Sequence, residues 1–369
     1  MPVYDFGSVD ENNPELVYNW GYDPVQYNIP EGSFASNPHD PYNRIFELQQ
    51  AIADYHQADI SVIMDVVYNH VYNADSFAFE KIVPEYFYRS DVFGFRTNGT
   101  FCGNDVASER AMVRNYILHS VKQWVQLYGF DGFRFDLMGI LDTKTMNQIA
   151  HELKAIYSNI YLYGEGWQMN TGLDNQLLAH QYNAEQLTDY GFFSDNFRDT
   201  IKQTIAQANR IENQYTPNLL ENILTANIGL IGSPHFLKPQ QAINYVECHD
   251  NATAFDYFDI INPEITLKER IANSRLALHL VLLAQGVPFI HSGQEFYRTK
   301  GLVDNSYNLP DKINKLDWMR SLHYQEDIDF LKQLIQFRKE HPLLSLENST
   351  DIRQACHCLL YTSPSPRDS

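Results

Sequence analysis

DGFRFD, residues Asp131 to Asp136, decides the fold. Phe133 and Phe135 alternate with Arg134 and Asp136, so the arginine and the final acid fall on the same side of a strand. Working outward, Ser61 to Val67 (SVIMDVV) is nearly all apolar up to Asp65, the pattern of a strand buried on both faces. Asn159 to Glu165 (NIYLYGE) alternates and again ends on an acid. Tyr190 to Ser194 is a weaker candidate. Ala242 to His249 (AINYVECH) and Val287 to Ser292 (VPFIHS) complete the set of expected strands.

Helical spacing fills the gaps. Ala111 to Leu127, Lys144 to Tyr157, Glu269 to Ala284 and Asp327 to Lys339 carry apolar residues mostly three and four apart. Strand and helix in steady alternation predict an α/β fold with a parallel sheet. Acids recur at the expected carboxyl ends of the strands, where barrel enzymes keep their chemistry. Asp5 to Pro41 reads as loop. From about Ala355 the chain runs CHCLLYTSPSPRDS, without periodicity and with a Ser/Pro ending. Residues 351–369 are therefore expected to be an unstructured tail, foreign to the domain that spans 1–350.

The chain has 369 residues, with 27 Lys plus Arg against 46 Asp plus Glu, a formal charge of -19. That balance argues against nucleic-acid or anionic-membrane partners, which require a basic face. With 44% apolar and 20% charged residues, wholesale disorder is also excluded. Aromatic residues reach 14%, which means a ring-rich core, an aromatic-lined cleft for a flat-faced ligand such as a sugar, or both. Four cysteines are too few for a disulfide scaffold, and Cys356-His357-Cys358 has no second ligand pair at zinc-site spacing. The start, Met1 to Asp5, has no basic residue and no apolar run behind it, which leans toward the cytoplasm and leaves export of a longer parent open. Leu276 to Ile290 is the longest apolar stretch and is broken by His279, Gln285, Gly286 and Pro288.

The strand-end acids Asp65, Asp136, Glu165 and Asp250 invite a chemical reading. Arg134 beside Asp136 would keep that carboxylate ionised and aim it. Glu165 lies between Gly164 and Gly166 with Trp167 next: small neighbours for substrate approach, then a ring for stacking. His249, Asp250 and Asn251 stand together at another strand end. A pair of carboxyls is what glycoside hydrolysis requires, and retention places them about 5–5.5 Å apart. One attacks the anomeric carbon. The other, with a raised pKa, protonates the leaving oxygen. Negative neighbours in a partly closed cleft are expected to raise Glu165. Each residue also has a plainer explanation: His70 could bond a loop, Asp65 could be structural, and Tyr22 could be a packed ring.

Taken in order, DVVYNH (Asp65 to His70), GFRFDLMG (Gly132 to Gly139), YGEGW (Tyr163 to Trp167) and YVECHDN (Tyr245 to Asn251) resemble the signatures of family-13 glycoside hydrolases, the α-amylase superfamily. YNWGYDP (Tyr18 to Pro24), PEGSF (Pro30 to Phe34), GNDVASER (Gly103 to Arg110) and NSYNLPDKIN (Asn305 to Asn314) are similar to its type I pullulanase subgroup, with Leu309 where that subgroup usually has Ser. The resemblance implies an α-1,6-glucosidase that debranches pullulan, glycogen or starch-derived α-glucans with retention. It implies Asp136 as nucleophile, Glu165 as acid/base and Asp250 as transition-state stabiliser. It implies Tyr22, Asp23, His70, Arg134, Trp167, His249 and Asn308 as substrate contacts, an α-glucan partner and a monomer. No cofactor is required; structural calcium is common in the family, and no ligand cluster here is specific enough to name.

The same resemblance implies an incomplete (β/α)8 TIM barrel. PVYDF (Pro2 to Phe6) resembles the end of the second barrel strand, which places strand one and most of strand two before Met1. Such a fragment is expected to expose strand edges and to fold poorly alone. Isoamylase, branching enzyme and α-1,4 amylase share the three acids, and an inactive α-glucan-binding fragment is the non-enzymatic alternative.

Overall fold

The computed structural model describes residues 2–207, 216–230, 232–233 and 235–361. The chain divides into two compact units, Met1–Phe192 and Phe193–Ser369.

The first unit opens with an antiparallel pair, β1 (Tyr4–Phe6) and β2 (Pro24–Pro30), followed by the helix α1 (Pro41–Gln57). The PVYDF segment therefore pairs antiparallel rather than as a strand of the parallel sheet, because the rings of Tyr4, Phe6 and Tyr27 need a common dry face and are all buried there. The expected loop at 5–41 thus contains a seven-residue strand. Its prolines stand only at the first and last positions, where the missing N–H matters least. β3 (Ile63–Val66) leads through the short α2 (Ala78–Ile82) to α3 (Ala111–Tyr128), then β4 (Gly132–Phe135), α4 (Thr143–Ile156), β5 (Tyr161–Gly164) and β6 (Gly191–Phe193). β3, β4, β5 and β6 pair in parallel, with Asp65 opposite Arg134 and Arg134 opposite Tyr163.

Local chemistry sets these boundaries. Asp40 caps α1 ahead of Pro41 by accepting from the Tyr42 amide. Asp142 caps α4 through the Thr145 amide, 2.9 Å away. Gly129, at φ 79, ends α3 in the left-handed conformation that favours glycine. Phe133, Phe135, Ile117, Val121, Trp124, Ile149 and Leu162 are buried between sheet and helices. Among the described residues, rings both fill the core, as Trp124, Phe133 and Phe135 do, and stand exposed, as Phe93, Phe95 and Phe101 do.

The second unit holds α5 (Asp195–Ala206), α6 (Thr216–Leu224), β7 (Ala242–Asn244), α7 (Ala254–Ile261), α8 (Leu267–Leu283) and β8 (Val287–Pro288), with β7 and β8 parallel. A capping box of Thr266 and Glu269 starts α8. Phe197, Ile201, Ile223, Val246, Phe258, Ala277 and Val281 form its core. Four helices follow: α9 (Asp311–Asn314), α10 (Trp318–His323), α11 (Gln325–Glu340) and α12 (Ser349–Tyr361). α12 corrects the expectation of an unstructured tail over 351–361. Ile352 is fully buried, and the Arg353 guanidinium donates to the carbonyls of Ile228 and Gly229. Residues 362–369 lie outside the described residues. Among the described residues, no helix is long and apolar enough to cross a membrane.

Candidate active site

In the first unit the site is built around Arg134. Its inward position on β4 follows from the alternation of GFRF, and its guanidinium is buried against three carboxylates. Nη1 is 2.7 Å from Oδ1 of Asp65 and 3.0 Å from Oδ1 of Asp136, and Nη2 is 2.7 Å from Oε1 of Glu165. Burial opposes the charge of Arg134, but Asp65 and Glu165, with help from Asp136, hold its pKa well above the ordinary value. Asp136 and Glu165 stand immediately after β4 and β5, at the carboxyl ends of those strands.

Asp65 anchors this arrangement. Its second oxygen accepts the Tyr22 hydroxyl at 2.6 Å. The Tyr22 ring has the Arg134 guanidinium 5.5 Å from its centroid. Asp23, next in sequence, accepts the Ser8 hydroxyl at 3.1 Å, and burial pushes its pKa up to about 6.

Asn69 was not singled out in the sequence. It is fully buried, and its side-chain amide donates to both the carbonyl (2.7 Å) and Oδ2 (3.0 Å) of Asp136. Its oxygen lies 2.5 Å from Nδ1 of His70. Burial lowers the His70 pKa to about 4, so its ring is neutral at pH 7. The Tyr27 hydroxyl reaches the His70 carbonyl at 2.6 Å, tying β2 to this turn.

Glu165 combines opposing influences. Burial raises its pKa to about 7, Arg134 pulls it down, and Asp136 and Asp65 push it up. The expected direction holds, but desolvation is the larger cause. Oε2 also accepts the Leu137 amide at 3.0 Å. Leu137 follows Asp136 in a left-handed conformation, φ 39, which is a strained geometry of the kind concentrated at working sites.

The glycines here serve packing rather than substrate access. A Cβ on Gly164 would come 2.5 Å from the Phe135 carbonyl, and one on Gly166 would come 2.5 Å from the Phe192 ring. One on Gly139 would sit 1.8 Å from the carbonyl of Trp167, whose side chain is half-buried. The turn after β4 and the turn after β5 therefore lie backbone to backbone.

The second unit carries His249, Asp250 and Asn308. His249 Nε2 lies 3.5 Å from Oδ2 of Asp250, and Asn308 is exposed. Side chains that the sequence did not single out brace the turn bearing His249 and Asp250. The Lys300 ammonium donates to the carbonyls of His249 (3.0 Å) and Asp304 (2.9 Å). Burial lowers the Lys300 pKa, and the charge of Asp250 acts against that. Asp304 accepts the Ala252 amide, and the buried Glu247 accepts the Ala254 amide at 2.6 Å while facing His291 at 2.9 Å. Asn314 shapes the loop before Asn308 and Leu309: its side-chain oxygen accepts the Ser306 hydroxyl and its amide donates to the Ser306 carbonyl.

Asp5, Glu11 and Glu31 bring carboxylate oxygens within 4.8 Å of one another. Protein donors meet two of the three: Glu31 accepts the amides of Phe6 and Ser33, and Glu11 pairs with Arg44. Burial, then the charges of Glu31 and Glu11, raise Asp5 to about 6.

A parallel α/β framework that buries three carboxylates around one arginine, two of them at strand ends, defines a protein with a carboxylate site on its sheet. Residues 98–318 match the family described as alpha amylase, catalytic domain, and the chain belongs to that family. It is 45% identical to a pullulanase of Bacillus subtilis (strain 168), over 97% of this chain and 51% of that protein. To pullulanase 1, chloroplastic, of Arabidopsis thaliana it is 34% identical, over 82% of this chain and 38% of that one. Its fold is similar to the crystal structure of the Paenibacillus barengoltzii pullulanase in complex with maltohexaose and alpha-cyclodextrin. That likeness has a TM-score of 0.92 and 44% identity, covering 96% of this chain and 56% of the other. The chain spans about half the length of the B. subtilis relative.

Proposed function

We propose that the chain carries the catalytic machinery of a retaining α-1,6-debranching glycoside hydrolase of the type I pullulanase kind. Its substrates are pullulan, glycogen or starch-derived α-glucans, it acts as a monomer, and its parallel strands are strands three to eight of a (β/α)8 barrel. The observation that carries the reading is the pair Asp136 and Glu165 on one guanidinium, with Glu165 holding its proton up to about pH 7. The likeness to pullulanases over nearly the whole chain supports the linkage.

Asp136 attacks the anomeric carbon as Glu165 gives its proton to the departing O6, leaving a glycosyl ester on Asp136. Glu165, now ionised, takes a proton from water, whose oxygen attacks the same carbon and frees Asp136. Asp250 stabilises the oxocarbenium-like charge. Tyr22, Asp23, His70, Arg134, Trp167, His249 and Asn308 hold the sugars. Arg134, 3.0 Å from Oδ1 of Asp136, holds that carboxylate in place, while burial keeps the Glu165 proton available near neutrality.

Incubation of a full-length protein that contains this chain with pullulan beside linear amylose tests the reading. Maltotriose from pullulan with amylose left intact is the expected result. Amylose shortened while pullulan survives would contradict it.

A further inference from the structure

The segment Asn98 to Asp105 has a rigid base and an exposed tip. Both oxygens of the fully buried Asp105 accept backbone amides, those of Gly99 (2.8 Å) and Thr100 (2.9 Å). The Asn98 side chain accepts the Gly103 amide at 2.7 Å, closing the tip on itself. On that tip Phe101 is 85% exposed at φ 62. A bulky aromatic residue in the left-handed region is strained, and an apolar ring in water gains nothing from burial. At 85% exposure the ring recovers little of either cost by packing, and strain of this kind concentrates at ligand sites.

The tip is tied to the carboxylate site. Asn104 exchanges side-chain hydrogen bonds with both backbone groups of Val71, at 3.0 and 2.9 Å. The Val106 amide donates to the carbonyl of Asn69, the residue that holds Asp136. Cys102, beside Phe101, lies within the electrostatic reach of Asp136 and Asp23. The loop that carries the ring is therefore joined through Val106 and Asn69 to the carboxylate site, on a support that loses little freedom when a ligand docks.

We propose that Phe101 is a sugar-stacking residue at the rim of that site, taking the apolar face of a glucosyl unit close to the bond that is cleaved. The inference rests on the α-glucan reading given above. An aromatic ring in water suits the C–H face of a sugar, and the exposed Asn98 can meet a hydroxyl, while Thr100, Asn104 and Asp105 are buried in the base of the loop.

The test measures maltotetraose binding to the full chain by calorimetry in a Glu165→Gln background, so that no hydrolysis intervenes. Phe101→Asn removes the ring and installs a residue that tolerates positive φ. The expected result is affinity weakened roughly two- to tenfold, with a melting temperature unchanged or raised. Phe101→Trp is expected to keep the affinity. Unchanged affinity in Phe101→Asn, with maltotetraose still bound, overturns the inference and leaves the α-glucan reading standing. A lowered melting temperature that Phe101→Trp restores without affecting binding marks a packing ring and also overturns it. Failure of the Glu165→Gln chain itself to bind maltotetraose removes both.

Discussion

Nη2 of Arg134 stands 2.7 Å from Oε1 of Glu165, yet the Glu165 pKa is raised to about 7. Desolvation outweighs the neighbouring cation, and Asp136 and Asp65 share that cation with it. A buried acid that stays protonated beside an arginine is poised to donate near neutrality.

This has a consequence for stability. The folded-state pKa of Glu165 lies above its ordinary 4.5, so between about 4.5 and 7 the folded chain binds more protons than the unfolded chain. Stability from this group is present below that window and is lost as pH rises through it. Melting temperatures measured across the window should fall for the wild type relative to Glu165→Gln. A constant difference between the two would mean that the group titrates normally.

The two acids should separate by substrate. Asp136→Asn should abolish turnover on every substrate. Glu165→Gln should keep measurable cleavage of glycosides with activated leaving groups, which need little protonation. Initial rates on an activated aryl maltoside check this, and equal, total loss in both variants would contradict the assigned roles.

Asn69→Ala leaves Asp136 without the amide that fixes Oδ2. A hydrogen bond to a charged group is worth about 1.5–3 kcal/mol, so kcat should fall on the order of 10- to 100-fold while KM changes little. A KM effect with intact kcat would make Asn69 a substrate-site residue instead.

Gly139→Ala would drive a methyl group into the Trp167 carbonyl, a backbone atom that cannot swing aside. Overpacking of this kind costs about 1–3 kcal/mol or more. Urea denaturation should show a clear loss for Gly139→Ala. A smaller loss is expected for Gly103→Ala, where the added carbon meets open space and only the backbone conformation resists.

Legibility in the sequence followed the range of the interactions. Every strand read from β-branched and aromatic runs, from Ile63–Val66 to Val287–Pro288, lies within its expected segment, because period and end signals are local. β2 was hidden by its terminal prolines. α1 was missed although Ile45, Leu48, Ile52 and Tyr55 stand three and four apart along it, of which only Ile52 is buried. α12 forms where composition suggested none, held by Ile352 and Arg353. Asp136, Glu165 and Arg134 were legible as residue types at strand ends, whereas Asp250 lies six residues beyond the end of β7. Their supports were not: Asn69 reaches Asp136 across 67 positions, Glu247 meets His291 across 44, and Lys300 finds the His249 carbonyl across 51. Such pairings depend on where the chain returns, which no local pattern encodes.

The central claim is double displacement at an α-1,6 linkage through Asp136. Proton NMR of the reducing end during the first minutes of pullulan hydrolysis by a full-length protein that contains this chain tests it most directly, because it reads product and stereochemistry together. The account predicts maltotriose released as the α-anomer, with the β-anomer appearing only as mutarotation proceeds. Maltotriose released first as the β-anomer would show inversion and contradict a covalent intermediate on Asp136.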